Sequence, residues 1–388
     1  MPRRAVLSDP WVPPALAGPR FIGSEVYRGS TYGPWHPLRV PRVSTVIDLS
    51  RALGWLPDGC YINSPRARPA ALTAFHTPAY IAALQRAEAD QAVTLATRSR
   101  HNLGTPANPV FAQMFRRPAT GAGAAILAGQ LLAGGGAVFA PGCGTHHGMP
   151  DRANGFCYLN DPVLAMLSLR HHGVRRIAYV DIDAHHPDGV ELAMAGDADT
   201  LLMSVHEENR WPRTGALTDC GLGQVFNLPV PAGFHDDDMA RVRDRLILPA
   251  IQAFRPGAIV LQCGADGVAE DPQSRMMLSN NAHWAVVAAL RTLAPRLLVL
   301  GGGGYNPWSV GRLWTGVWGV LSGQPVPDRL PDAGTAVLAA LVWQGRNRPH
   351  LPQPHWTRTL RDPPRHGPVS PEVAARLALL TRRLRVAF

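Results

Sequence analysis

Apolar residues gather in short runs at 137–140, 177–182, 201–205, 225–230, 258–262 and 297–300. Most of these runs lack polar alternation, which is the mark of strands covered on both faces. Stretches with helical spacing lie between them, at 161–172, 237–254 and 281–293. Strands alternating with helices predict an α/β fold, a central parallel sheet with helices on both faces. The longest uncharged stretch, 121–142, is long enough for a membrane span, but it holds seven glycines and Gln130. It reads better as a buried helix over 122–133 that glycines stop. No internal repeat is visible. One large domain is expected over 1–323. From 324 the text turns Pro- and Arg-rich, with PDRLPD, RPHLPQPH and RDPPRHGP, and closes on an Arg-laced helix near 371–386. That stretch, 324–388, is expected to pack on the same domain or trail from it.

Composition narrows the class. With 46% hydrophobic and 17% charged residues the chain can build a large core, and disorder through charge is excluded. The formal net charge is +10, and all 38 basic residues are arginine. They are spread along the chain, so a generally basic surface is expected and no specific nucleic-acid partner. Cysteines at 60, 143, 157, 220 and 263 are odd in number and form no CxxC pair, which points to a reducing compartment and away from a disulfide framework. Arg3 and Arg4 run into Pro10, Pro13 and Pro14 with no apolar segment between. No secretory signal and no membrane association are expected, and a cytoplasmic protein follows. Oligomeric state is not legible.

Unusual residues cluster where the apolar runs end. CGTHHG follows the first, DAHHPDG the second, Ser204-Val205-His206 closes the third, CGAD follows the fifth and GGGGY the sixth. In open α/β sheets ligands bind outside the carboxyl ends of the strands, so one shared cleft is predicted. Strand alternation places Asp181, Asp183 and His185 on one side, and Asp266 ends another strand. Two carboxylates with an imidazole and no thiolate suit a divalent metal with an open position; the plainer reading is a set of loop-capping carboxylates. His146-His147 could transfer protons near neutral pH or cap a loop. His171-His172 reads as a solvated helix end. Gly301–Gly304 lacks the phosphate-loop text, and suits close backbone approach to a site, with Tyr305 presenting its hydroxyl.

HHG, NGFCYLN, DIDAHHPDG, CGAD and GGGGYNP occur here in one order. In that order they resemble the zinc-dependent histone deacetylases, most of all the bacterial branch of acetoin utilisation proteins and histone-deacetylase-like amidohydrolases. The similarity runs from the GPWHP at 33–37 to the RLW at 312–314. It implies an arginase-deacetylase fold and one zinc per chain held by Asp183, His185 and Asp266. It also implies that His146 assists electrostatically and His147 is general base and acid, with Asp181 and Asp188 behind them. Tyr305 would polarise the acyl carbonyl. Gly155, Phe156, Trp211 and Gln273 would line the substrate tunnel, and Arg42 an internal acetate channel. A structural K⁺ or Na⁺ would use carbonyls of Asp181, Asp183 and His185 with Ser204.

Three positions depart from the family pattern. Pro187 replaces the usual glycine of the metal loop, and Ala107 stands where an aspartate often grips the substrate backbone. Gln273 stands where protein deacetylases carry an apolar residue and polyamine deacetylases a glutamate. The expected activity is removal of acetyl or short acyl groups from acyl-lysines or small acylated amines, with little dependence on flanking peptide. An acetylpolyamine deacetylase, a two-metal ureohydrolase and a silent acyl-lysine or nucleic-acid binding module are the alternatives.

Overall fold

The computed structural model describes residues 14–344 and 349–388. The readings placed on Arg3, Arg4, Pro10 and Pro13, and on Arg348 of the RPHLPQPH stretch, lie outside the described residues.

Eight parallel strands form one sheet: β1 Arg20–Gly23, β2 Tyr61–Asn63, β3 Gly136–Ala140, β4 Ile177–Asp181, β5 Thr200–Glu207, β6 Val225–Val230, β7 Ala258–Gln262 and β8 Arg296–Leu300. Their order is β2-β1-β3-β8-β7-β4-β5-β6. Strands β4 to β7 are buried at every position, the reason they read as mostly apolar runs, interrupted by buried polar residues such as Ser204, His206 and Asn227. The chain moves from β4 out to the β6 edge, then returns to insert β7 and β8 between β4 and β3. The ends of β3, β8, β7 and β4 therefore lie side by side at the point where strand order reverses, the place where such sheets bind ligands.

Helical boundaries depart from the sequence pattern for identifiable reasons. The glycine-rich helix begins earlier than expected, spanning Arg116–Leu131. Its first amides are capped from far away, since Glu88 Oε2 accepts from the N–H groups of Phe115 at 2.8 Å and Arg116 at 2.9 Å. Its glycines admit close neighbours: a Cβ on Gly123 would lie 1.9 Å from the Pro65 carbonyl oxygen. The stretch 237–254 is not one regular helix but Asp236–Val242, a π turn over Arg243–Ile247, and Leu248–Phe254. Pro249, without an N–H, cannot continue the regular ladder, and the wider turn absorbs the break. The helix expected over 281–293 ends at Leu290.

His172 is buried, with its Nδ1 donating to the Ser168 carbonyl at 2.8 Å, which corrects the reading of the 171–172 pair as solvated. Beyond 324, Leu338, Trp356, Leu360, Val373, Leu377 and Leu380 are buried in the same apolar cluster as Val180, Leu261 and Val299 of the sheet. A buried ion pair, Arg312 to Asp362 at 2.6 Å, adds a polar tie. Among the described residues no helix is long and apolar enough to cross a membrane.

Candidate functional site

The carboxyl ends of β4 and β7 bring Asp183, His185 and Asp266 together, with one donor atom of each within 4.8 Å of the others. His185 Nδ1 lies 3.1 Å from Asp183 Oδ1 and 3.0 Å from Asp266 Oδ2. All three side chains are buried. Burial disfavours charge here, yet the Asp266 and Asp183 carboxylates lift His185 up to about 10. Two carboxylates outweigh one imidazolium, so this dry pocket carries excess negative charge, and a divalent cation on the same three atoms would neutralise it. Donor set and charge thus fit a metal of zinc's type.

Backbone and an amide fix these groups. Asp183 Oδ2 accepts from Gly303 N–H at 2.8 Å and from the Gln262 side-chain amide at 2.8 Å. Asp266 Oδ1 accepts from Ala184 N–H at 3.0 Å. Gln262 escapes sequence reasoning because a polar residue closing an apolar strand carries no signal of what it faces; its burial does. The glycines after β8 are required by proximity: a Cβ on Gly303 would lie 1.9 Å from Asp266 Oδ2. Pro187 has φ −78° and ψ 63°, and Asp188 N–H donates to the His186 carbonyl at 2.9 Å, an inverse γ-turn. Proline's fixed φ suits that turn, so it fits without disturbing Asp183 or His185.

The loop after β3 supplies two parallel relays. His146 Nδ1 donates to Asp181 Oδ2 at 2.8 Å, and His147 Nδ1 to Asp188 Oδ1 at 2.6 Å. Their Nε2 atoms are 2.9 Å apart, so one ring carries the proton and the other accepts it. Burial opposes charge on both rings. At His146 the Asp181 and Asp183 carboxylates overcome it and raise the ring to about 9, while at His147 burial and the His146 charge lower it to about 3. The loop itself is held by Asp161, which accepts from Gly144 N–H at 2.6 Å and from the Thr145 hydroxyl.

Above this floor lies a pocket of ≈ 320 Å³ lined by Phe156, Trp211, Gly155, Tyr305, Gln273 and Ala107. Trp211, 44% exposed, meets His147 edge-on at 4.6 Å, and the Phe156 ring lies 6.0 Å from that of Tyr305. Gly155 and Phe156 both have left-handed φ, +51° and +68°. A Cβ on Gly155 would lie 2.2 Å from the Trp211 ring, and the costly conformation at Phe156 is tied by its N–H to Asn108 Oδ1 at 3.1 Å and its carbonyl to Tyr32 Oη at 3.2 Å. Tyr305 lines the pocket; among the described residues its hydroxyl has no hydrogen-bond partner, while its backbone N–H donates to Asp271 Oδ2 at 2.6 Å. Ala107 offers only its carbonyl, which takes the His36 Nε2 hydrogen at 3.2 Å. Arg42 lines an inner cavity together with Asp183 and His185, donating to the Gly302 carbonyl at 2.7 Å. Ser204 is in register with Asp181, and its hydroxyl lies 2.8 Å from His206 Nδ1.

Comparison with known proteins follows the same lines. The family model "Histone deacetylase domain" matches residues 36–321. The chain is 32% identical over 331 residues to "Putative histone deacetylase 2" of Caenorhabditis elegans, covering 82% of this chain and 64% of that protein. It is 31% identical over 325 residues to "Acetoin utilization protein AcuC" of Bacillus subtilis, covering 79% and 84%. Among solved structures, a histone deacetylase homologue from Aquifex aeolicus superposes with a TM-score of 0.89 at 32% identity, covering 94% of this chain and all of that one; such a homologue has also been solved in complex with SAHA.

Proposed function

Because the chain belongs to the histone deacetylase family, we propose that it is a zinc-dependent amidohydrolase that removes acetyl or short acyl groups from acyl-lysines or small acylated amines. One observation carries this reading: a buried Asp183–His185–Asp266 cluster lies beside His147 and Tyr305 at the foot of an aromatic-walled pocket. Asp183, His185 and Asp266 would hold one zinc. When bound, that ion supplies Lewis acidity to the scissile carbonyl and eases deprotonation of water.

The chain's own groups do the rest. Phe156 and Trp211 flank the linear alkyl chain of an acylated amine and exclude water around it. His147, its Nδ1–H anchored on Asp188, exchanges the His146 contact at Nε2 for the attacking water, takes its proton there and returns it to the departing amine. His146, held charged by Asp181, stabilises negative charge that develops nearby. The unpartnered Tyr305 hydroxyl donates to the carbonyl oxygen as it becomes an oxyanion. Ala107 removes a carboxylate that would accept peptide N–H groups, and Gln273 supplies no full charge for a distant ammonium. Tolerance for small substrates follows. A K⁺ or Na⁺ on the carbonyls of Asp181, Asp183 and His185 with Ser204 would brace the ligand loop. Five free cysteines, four of them buried, support a reducing cytoplasmic setting.

The test is an assay of purified, zinc-replete protein on acetyl-lysine peptides, free acetyl-lysine analogues and acetylated polyamines side by side. Turnover of the first two that disappears with a chelator and returns with zinc is expected. Activity that survives complete metal removal would overturn the reading.

A further inference from the structure

Trp211 is carried on the segment 208–224, which joins β5 to β6 and forms no helix or strand of its own. Among the described residues its indole N–H has no hydrogen-bond partner, so the ring stands where the backbone puts it. Packing leaves that backbone incompletely supported. A cavity of ≈ 550 Å³ lies between Glu208, Arg213, Leu217 and Asp219 of the segment and Pro229 and Arg376.

The C-terminal helix Pro371–Ala387 crosses to both limbs of this segment. Val373, Leu377, Leu380 and Leu384, at helical spacing, bury one of its faces in the core. Arg376 and Arg383 lie about two turns apart and share another face. Arg376 donates to both carboxylate oxygens of Glu208 at 2.9 Å and to the Pro229 carbonyl at 2.6 Å, and it also meets Glu372 of its own helix. Arg383 donates to the carbonyls of Leu217 at 3.2 Å, Asp219 at 3.3 Å and Val225. Its guanidinium sits 4.8 Å from the Phe226 ring centre.

Glu208 precedes Trp211 and Leu217 to Val225 follow it, so the two arginines hold the segment on both sides of the ring. Other ties come from the sheet. Arg210 pairs with Glu207 at 2.5 Å, Thr214 Oγ1 lies 2.8 Å from His186 Nδ1, and the Gly215 carbonyl accepts from His206 Nε2 at 3.0 Å. These tether the segment near the ring, while the helix binds its outgoing and return limbs together. The Arg376 side chain is only 15% exposed, and a charge-assisted, two-oxygen contact of that kind is among the stronger polar links a protein makes.

We propose that Arg376 and Arg383 position Trp211 and thereby set the width of the pocket, which makes the C-terminal helix a specificity-determining part of the site. Both are positioning residues, since neither lines the pocket that Trp211 walls. The inference rests on the amidohydrolase reading for the identity of the substrate, but not for the clamp itself. With the wall held close, a linear alkyl chain on the amide nitrogen packs against Trp211 and a ring in its place is excluded. With the wall released, the linear chain loses contact and the ring gains entry. Sequence alone shows an Arg-laced helix and nothing of what its arginines hold.

The experiment compares the zinc-loaded full chain with Arg376→Gln, Arg376→Lys, Glu208→Gln and the double variant Glu208→Gln with Arg376→Gln. Hydrogen exchange reads the segment, and steady-state kinetics on Nε-acetyl-lysine amide and N-acetylcyclohexylamine read the wall. In Arg376→Gln the amides of 208–224 should exchange about tenfold faster or more, as expected for loss of a charge-assisted partner, while β4 and β7 stay protected. KM for the linear substrate should rise about tenfold with kcat changed far less, and the linear-to-ring ratio of kcat/KM should fall by a similar factor. Arg376→Lys should recover part of both effects, and the double variant should be no worse than Arg376→Gln alone. Glu208→Gln breaks the same contact from its more exposed side, and it decides the matter if Arg376→Gln does not fold. Wild-type exchange, KM and ratio in the folded variants overturn the clamp. Faster exchange with unchanged KM and ratio also overturns it, because the segment then moves without moving the wall. If 208–224 loosens but the wild type turns over no acylated amine, the clamp stands and the amidohydrolase reading fails. Turnover that no variant alters overturns the clamp and leaves the amidohydrolase reading standing.

Discussion

Gly303→Ala adds a single methyl group beside the cluster we assign to zinc. The added carbon would lie 1.9 Å from Asp266 Oδ2, 2.6 Å from its Cγ and 3.0 Å from Asp183 Oδ2. Carbon and oxygen settle near 3.5 Å, so Asp266 must retreat by more than 1 Å (about 1.6 Å to reach that separation). Metal–ligand distances tolerate about ±0.2 Å, so the shift removes Asp266 from coordination. Gly303 has no left-handed φ, and the backbone therefore adds no strain of its own. Loss of a partner behind a ligand already costs about 10–100-fold in metal affinity, and displacement of the ligand itself should cost at least about 100-fold. Overpacking should lower stability by about 1–3 kcal/mol, leaving a folded protein. Gly196→Ala is the control, since nothing lies within 4 Å of its added carbon. Zinc affinity is read by competition with a chromophoric chelator and zinc content by elemental analysis after dialysis, with circular dichroism to establish folding. A folded Gly303→Ala protein that binds one zinc with wild-type affinity would refute both the crowding argument and the assignment of Asp266.

Tyr305→Phe should lower kcat about 10²–10³-fold, the usual cost of one oxyanion donor, while zinc content stays the same; wild-type kcat removes the hydroxyl from the mechanism. Ala107→Asp should raise kcat/KM for long acetylated peptides relative to free acetyl-lysine by about 10–150-fold, the worth of one charge-assisted hydrogen bond; a wild type that already prefers long peptides by that margin shows that another group grips the backbone. His76 reports on stability: its Nδ1 donates to the Met149 carbonyl at 3.0 Å and its Nε2 accepts from Asn160 N–H at 3.0 Å, so the folded ring must be neutral, and burial lowers it to about 4. The folded value lies below the unfolded one of about 6.5, so the unfolded chain binds the extra proton and stability falls as pH drops from 6.5 toward 4. His76→Gln should flatten that part of the Tm-against-pH curve, and an unchanged slope would show that the ring takes up its proton without unfolding.

Features imposed by near neighbours in the chain are legible without the fold. Strands covered on both faces are mostly apolar, so β3 to β8 can be read from runs of apolar residues alone. Alternation along an extended strand groups Asp181, Asp183 and His185 before any fold is known, although β4 ends at Asp181 and the loop after it carries the other two; the ordered motifs place His146, His147, Asp266 and Tyr305 with them. The short strands Arg20–Gly23 and Tyr61–Asn63 are not legible, because so few residues carry no periodicity. Distant partners enter only through the tertiary structure: the Glu88 carboxylate that starts the 116–131 helix, the Gln262 amide that aims Asp183, the burial of His172, and the approach of Trp211 that leaves room only for glycine at 155. Arg117 shows the limit most clearly, because charge in a sequence carries no record of solvent. Only the folded chain buries Arg117 against the Tyr27 and Tyr32 rings, because desolvation depends on everything around a group and on nothing beside it in the chain.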